Sequence, residues 1–193
     1  MHNTIKNLLD IESKINKRAK IIAVSKTFPI DKILPLIEYG HINFGENKVQ
    51  EGVEKWTEIK KMNSQIKLHM IGKLQTNKVK FAVNIFDYIH SVDNEKLAKK
   101  IANECKKLNK KIKIFIQVNI GDEEQKSGIN KNGVNQLVSY SKEIGLNVIG
   151  LMCIPPANIH TEGYFDEMNK LNQSLGFTEL SMGMSSDFHI AVR

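Results

Sequence analysis

The sequence predicts an α/β fold built on a parallel sheet, and three observations carry that prediction. Short apolar runs rich in β-branched residues recur along the whole chain, and amphipathic helical stretches fill the intervals between them. Stretches of these runs, such as 21–24 and 148–154, are apolar at every position instead of alternating, as expected for strands covered on both faces. No proline-rich linker, composition shift or low-complexity tract divides the 193 residues, so one domain over residues 1–193 is expected. From the residues alone, such a sheet either closes as a (β/α)8 barrel or stays open and doubly wound.

Seven runs have the length and composition of strands: 21–25, 42–45, 68–72, 88–92, 112–120, 148–154 and 178–182. An opening helix carries Ile5, Leu8, Leu9 and Ile15 ahead of the first strand. Further helices are expected over 31–39, 47–62, 75–83 and 163–175. The clearest helix starts at Asp93, expected as its N-cap, and places Leu97, Ile101, Cys105 and Leu108 on one stripe. Cys105 is therefore read as a small core hydrophobe and not a nucleophile.

Composition excludes several functions. No run of about 18 apolar residues exists, so no transmembrane helix is expected. The N-terminus alternates charge with apolar residues and lacks the apolar core of a secretory signal. Two cysteines and no export signal point to a reducing cytoplasm. The net charge of +7 raises nucleic acid as a partner, but only Arg18 and Arg193 are arginines. Base reading and bidentate phosphate contacts lean on arginine, and lysines at helical spacing read as solvated helix faces. No nucleic acid and no membrane are expected.

Chemistry is legible at the strand ends. Lys26 directly follows the first apolar run, where a lysine is anomalous. At the C-terminal end of a barrel strand its stem would be desolvated, its amine pKa lowered, and the neutral nucleophile made able to form a Schiff base. The plain alternative is a lysine that snorkels out of the strand end. The run Ser181, Met182, Gly183, Met184, Ser185 places hydroxyls and a glycine between a strand and a helix, a pattern suited to a phosphate. Asn47, His69, Gly72 and Asn119 stand at or near successive strand ends, where each alone reads as a turn residue or a satisfied core polar group. No Walker loop, dinucleotide fingerprint, zinc spacing or nucleophile elbow occurs.

Six blocks together resemble one family. They are A-V-S-K-T (23–27), F-G-E-N-x-V-Q-E (44–51), H-x-I-G-x-L-Q-x-N-K (69–78), Q-V-N-I-x-x-E-x-x-K-S-G (117–128), G-L-M-x-I-P-P (150–156) and L-S-M-G-M-S-x-D-F (180–188). In this order they resemble the YggS/PROSC family of pyridoxal 5′-phosphate homeostasis proteins over essentially the whole chain. The resemblance implies a (β/α)8 TIM-type barrel of the alanine racemase N-terminal-domain kind, with pyridoxal 5′-phosphate as cofactor and Lys26 as its Schiff-base lysine. It matches Ser181, Met182, Gly183, Met184 and Ser185 to the phosphate-binding stretch, and Asn47, His69, Gly72 and Asn119 to pocket positions. Lys126 matches a second family lysine near the pocket.

Lys73 stands where the family commonly has proline. The family also continues into an eighth strand with an R-I-G stretch, to which Arg193 does not correspond. That strand is therefore expected to be missing from this chain, and the natural protein is expected to run about 20 or more residues further, the length of one more helix end and strand. On the resemblance, the function is a carrier or buffer of the cofactor without turnover, in the cytoplasm, as a monomer or weak dimer. Its partners would be the cofactor itself and pyridoxal-phosphate-dependent apoenzymes. The alternative is a fold-type III amino-acid racemase or decarboxylase. Selective turnover needs acid/base groups on both faces of the cofactor ring, which those enzymes draw from a second domain and a dimer partner.

Overall fold

The computed structural model describes residues 1–157 and 160–193. Seven strands form one sheet: β1 (Ala23–Val24), β2 (Asn43–Glu46), β3 (Lys67–Met70), β4 (Tyr88–Val92), β5 (Lys113–Gln117), β6 (Asn147–Met152) and β7 (Glu179–Ser181). Each pairs in parallel with the next, in the order β1 to β7. Parallel neighbours need a crossover, and helices supply it. α1 (Asn3–Ile15) precedes the sheet. α2 (Ile30–Tyr39), α3 (Val49–Met62), α4 (Val79–Ile85), α5 (Glu95–Lys107), α6 (Val134–Glu143) and α7 (Thr161–Ser174) each join two strands, and α8 (Phe188–Ala191) follows β7.

Alternation along the strands sorts residues onto two faces. Phe44, Leu68, Ile89, Ile114, Ile116 and Leu151 are wholly buried in the main core cluster. They pack with Trp56 of α3, Val83 of α4, Ile101 of α5, Leu137 of α6 and Met168 of α7. The alternate positions Asn43, His69, Tyr88, His90 and Phe115 share the opposite, inner face. His69 stacks on Tyr88 with ring centroids 4.2 Å apart, and His90 on Phe115 at 4.4 Å.

The sheet is steeply curled. β4 and β7 are three strand spacings apart, about 14 Å if the sheet were flat. Yet Ser181 Oγ of β7 lies 2.7 Å from His90 Nδ1 of β4, across the inner face. This seven-stranded curl, with helices outside and polar groups inside, is the expected alanine-racemase-type barrel architecture, and β1 and β7 are its two edges. Among the described residues there is no eighth strand.

Local departures from the sequence reading have local causes. The run 21–25 yields only the two-residue edge strand β1. Asp93 is not the N-cap of α5. Asn94 is, because its side-chain oxygen reaches Leu97 N–H three residues on, at 2.9 Å. Asp93 instead accepts from Gly128 N–H in the loop after β5. Leu108 closes α5 as its C-cap and stays largely exposed, whereas Cys105 packs against the core. α6 fills an interval in which the sequence reading expected a helix but gave it no bounds. Its stripe of Val134, Leu137, Val138 and Ser141 starts from a 3-10 turn over Lys131–Gly133 that obscures its beginning. No helix among the described residues is long and apolar enough to cross a membrane.

Candidate functional site

In a parallel sheet every strand ends at the same rim, and the polar positions singled out in the sequence gather there. Lys26 follows β1 on that rim and is exposed. The expected desolvation of its stem is not met, because β1 is an edge strand paired on one side only. What is fixed is the backbone around it. Lys55 Nζ of α3 donates to the Ser25 carbonyl at 2.7 Å, and Thr27 N–H donates to Glu51 Oε1. Thr27 sits at φ 63°, a left-handed conformation that a β-branched residue adopts only when its surroundings impose it.

The clamp is anchored on a buried carboxylate. Glu46, wholly buried at the end of β2, accepts through Oε1 from Ser25 Oγ at 2.6 Å, Trp56 Nε1 at 2.8 Å and Lys55 Nζ at 2.9 Å. Lys55 also pairs with Glu51 at 3.0 Å. Burial pushes the Glu51 carboxyl up. The bonds from Lys55 and Thr27 N–H, with the Lys55 and Lys48 charges, outweigh this and hold it below its ordinary value.

Asn47 and Gly72 meet at the rim between β2 and β3. A Cβ on Gly72 would stand 2.2 Å from the Asn47 carbonyl oxygen, so only glycine lets the two backbones approach. Asn119 is buried after β5, and its amide serves its own loop. Nδ2 donates to the Glu123 carbonyl at 2.9 Å and Oδ1 accepts from Glu123 N–H at 3.2 Å. Lys126 pairs with Glu123 at 2.6 Å and donates to the Pro155 carbonyl at 3.1 Å, tying this loop to the one after β6. A cavity of about 640 Å³ opens beside Asn119 and Lys126, but it does not include Lys26 or Ser181. Asp122, Glu123 and Glu124 line it together with Lys126 and Lys131, a mixture of charge that suits no single anion.

The loop after β7 gathers donors of one kind. Gly183 turns it at φ 87° and packs on α8, where an added Cβ would meet Ala191 Cβ at 2.9 Å. Among the described residues, the N–H groups of Gly183, Ser185 and Ser186 have no protein acceptor. The hydroxyls of Ser181 and Ser185 flank them. Asp187 takes the Met184 N–H through Oδ1 at 2.6 Å, which fixes the turn but commits that donor. α8 spans four residues, so the loop N–H groups are the donors here, in place of the helix terminus expected from sequence.

His69 lies inside the barrel, one residue short of the β3 end, with both ring nitrogens engaged. Nε2 meets Asn43 Oδ1 at 3.1 Å, and Nδ1 meets His90 Nε2 at 2.9 Å. Burial holds His69 down at about 4 and His90 well below its ordinary value, so both rings are neutral at pH 7. Sequence reading missed His90, Asn43, Lys55 and Glu51. Glu51, which closes the block 44–51, and Lys55, four residues after it on one helix face, left a sequence signal. No group of three or more potential metal ligands occurs among the described residues.

A curled sheet of parallel strands in sequence order, with helices outside and polar groups on its inner face, defines a TIM-type barrel protein. The sequence matches the family "Alanine racemase, N-terminal domain" over residues 2–191. The chain belongs to this family, and within it to the pyridoxal phosphate homeostasis proteins. A protein of that name from Aquifex aeolicus is 36% identical over 184 residues, covering 90% of this chain and 80% of its own length. One from Escherichia coli is 30% identical over 212 residues, covering all of this chain and 91% of its own. The solved structure of PipY from Synechococcus elongatus with PLP bound superposes with a TM-score of 0.90 at 31% identity, covering 97% of this chain and 92% of that one. Alanine racemase of Clostridium difficile, at 15% identity and a TM-score of 0.75, shares the fold.

Proposed function

We propose that this chain, as one domain over residues 1–193, binds pyridoxal 5′-phosphate and serves its homeostasis as a carrier or buffer. The observation that carries the reading is the pairing, on one rim, of a primary amine on a clamped turn with a loop whose Gly183, Ser185 and Ser186 N–H groups and Ser185 hydroxyl have no protein acceptor among the described residues. The cofactor carries an aldehyde and a phosphate, and these residues fit both ends. Lys26 would hold it covalently, its amine condensing with the aldehyde to an imine with loss of water. Ser181, Met182, Gly183, Met184 and Ser185 would hold the phosphate. Asn47 and Gly72 shape the rim between them, His69 acts on Ser181 through His90, and Asn119 orders the neighbouring loop. The work is done in the cytoplasm, as a monomer or weak dimer that hands the cofactor to apoenzymes. Likeness in fold to racemase and decarboxylase chains brings no activity with it.

The test is borohydride reduction of the cofactor-loaded protein followed by peptide mapping. The pyridoxyl adduct is expected on Lys26, and the visible absorption band is lost in Lys26→Ala. Lys26→Arg should lose it too, since a guanidinium stays protonated. An adduct confined to Lys126 or another lysine overturns the assignment.

A further inference from the structure

Between the Ser181 loop and Asn43 runs an unbroken chain of polar contacts across the inner face. Ser181 Oγ is 2.7 Å from His90 Nδ1, His90 Nε2 is 2.9 Å from His69 Nδ1, and His69 Nε2 is 3.1 Å from Asn43 Oδ1. A neutral imidazole has one donor nitrogen and one acceptor nitrogen, so the two bonds each ring makes are not independent. With the Asn43 oxygen accepting, His69 carries its proton on Nε2 and its Nδ1 is bare. His90 must then donate from Nε2, and its bare Nδ1 takes the Ser181 hydroxyl hydrogen. In that state Ser181 offers the loop only lone pairs.

An anion that takes a hydrogen bond from Ser181 requires the opposite sense. Ser181 can donate to it while accepting from His90 only if His90 is protonated on Nδ1. His90 Nε2 is then bare and accepts from His69 Nδ1–H, and the bare His69 Nε2 needs a donor. A half turn of the Asn43 amide supplies one. That turn breaks no other bond, because the Asn43 amide nitrogen has no other protein partner among the described residues. Switching one ring alone would set two bare nitrogens, or two hydrogens, against each other at 2.9 Å.

We propose that Asn43, His69 and His90 are a positioning relay that sets the donor sense of Ser181, so that phosphate binding at the Ser181–Ser185 loop converts both rings together from the Nε2–H to the Nδ1–H form. One proton enters at Ser181, from water or a phosphate monoanion, and one leaves His69 Nε2 to water. The proton count and charge of the relay are unchanged. The inference rests on the cofactor reading above.

Histidine ring nitrogens report tautomer directly in long-range proton–nitrogen NMR of protein labelled with nitrogen-15 histidine. The free protein is expected to show His69 and His90 both as Nε2–H. Saturating pyridoxal 5′-phosphate, with its phosphorus signal reporting occupancy, is expected to make the protonated and bare nitrogen signals of both rings exchange places. In Ser181→Ala the rings should no longer respond to the ligand. Bound phosphate with either ring unmoved, or rings that still switch in Ser181→Ala, overturns the relay alone. A phosphorus signal that never changes overturns the cofactor reading and the coupling together.

Discussion

His69 and His90 make the interior sensitive to acid. A histidine whose folded pKa lies below its unfolded value is protonated more readily in the unfolded chain. Its contribution to stability is therefore fully present above the ordinary value of about 6.5 and is lost as pH falls toward the folded value. For His69 that window runs from about 6.5 down to about 4, a loss on the order of 3 kcal/mol. His90 shifts in the same direction and adds to it. Denaturant midpoints measured between pH 7 and 4.5 should fall steeply in the natural chain and less steeply in His69→Gln. Equal slopes in the two would show that His69 is solvated and not held neutral by burial. Neither histidine announces this in the sequence. His90 and Ser181 are 91 positions apart, and only the curl of the sheet brings them together.

At the scale of elements, glycines set how closely strands and loops approach. A Cβ on Gly150 of β6 would stand 1.9 Å from the Glu179 carbonyl oxygen of β7, so Gly150→Ala must push the two strands apart. Because β7 leads directly into Ser181, the expected result is a loss of about 1–3 kcal/mol together with weaker cofactor binding. Gly163→Ala in α7, where nothing lies within 4 Å, should be neutral or stabilising by up to about 1 kcal/mol. Thermal melts and cofactor titrations of the two variants decide it, and a Gly150→Ala protein as stable and tight-binding as the natural chain refutes the close approach. The strands themselves were legible because the positions that face the helices stay apolar, as Phe44, Leu68, Ile89, Ile114 and Leu151 do, even where Asn43, His69 and His90 interrupt the run on the inner face. Lys26 and the Ser181 loop were legible for the converse reason, since a lysine and a serine-glycine turn interrupt those runs. The clamp of Glu46, Lys55 and Glu51 was not. Its members read singly as a strand-end acid and two helix-surface charges, and their convergence on Ser25 and Thr27 is tertiary.

Across the whole molecule, the two proposed halves of the cofactor site lie on the two edges of the sheet. Lys26 follows β1 and the phosphate loop follows β7, while β4, β5 and β6 pair on both sides in the middle. Edge strands open with less free energy than central ones, since fewer bonds and contacts break. β1 contributes only two paired residues. Amide exchange in the free protein should therefore be fastest in 23–27 and 179–186 and slowest in β4 and β5. A cofactor joined to Lys26 at one end and to the Ser181 loop at the other bridges these edges. Ligand at about 100 times its dissociation constant stabilises the folded state by about 2.7 kcal/mol. Because the contacts fall on the weakest elements, exchange should slow at 23–27 and 179–186 together, with little change in the centre. Lys26→Ala can still bind phosphate at the loop but cannot span, so slowing should survive there only in 179–186. Protection of one edge alone in the natural chain would mean that the amine and the anion loop do not hold the same molecule.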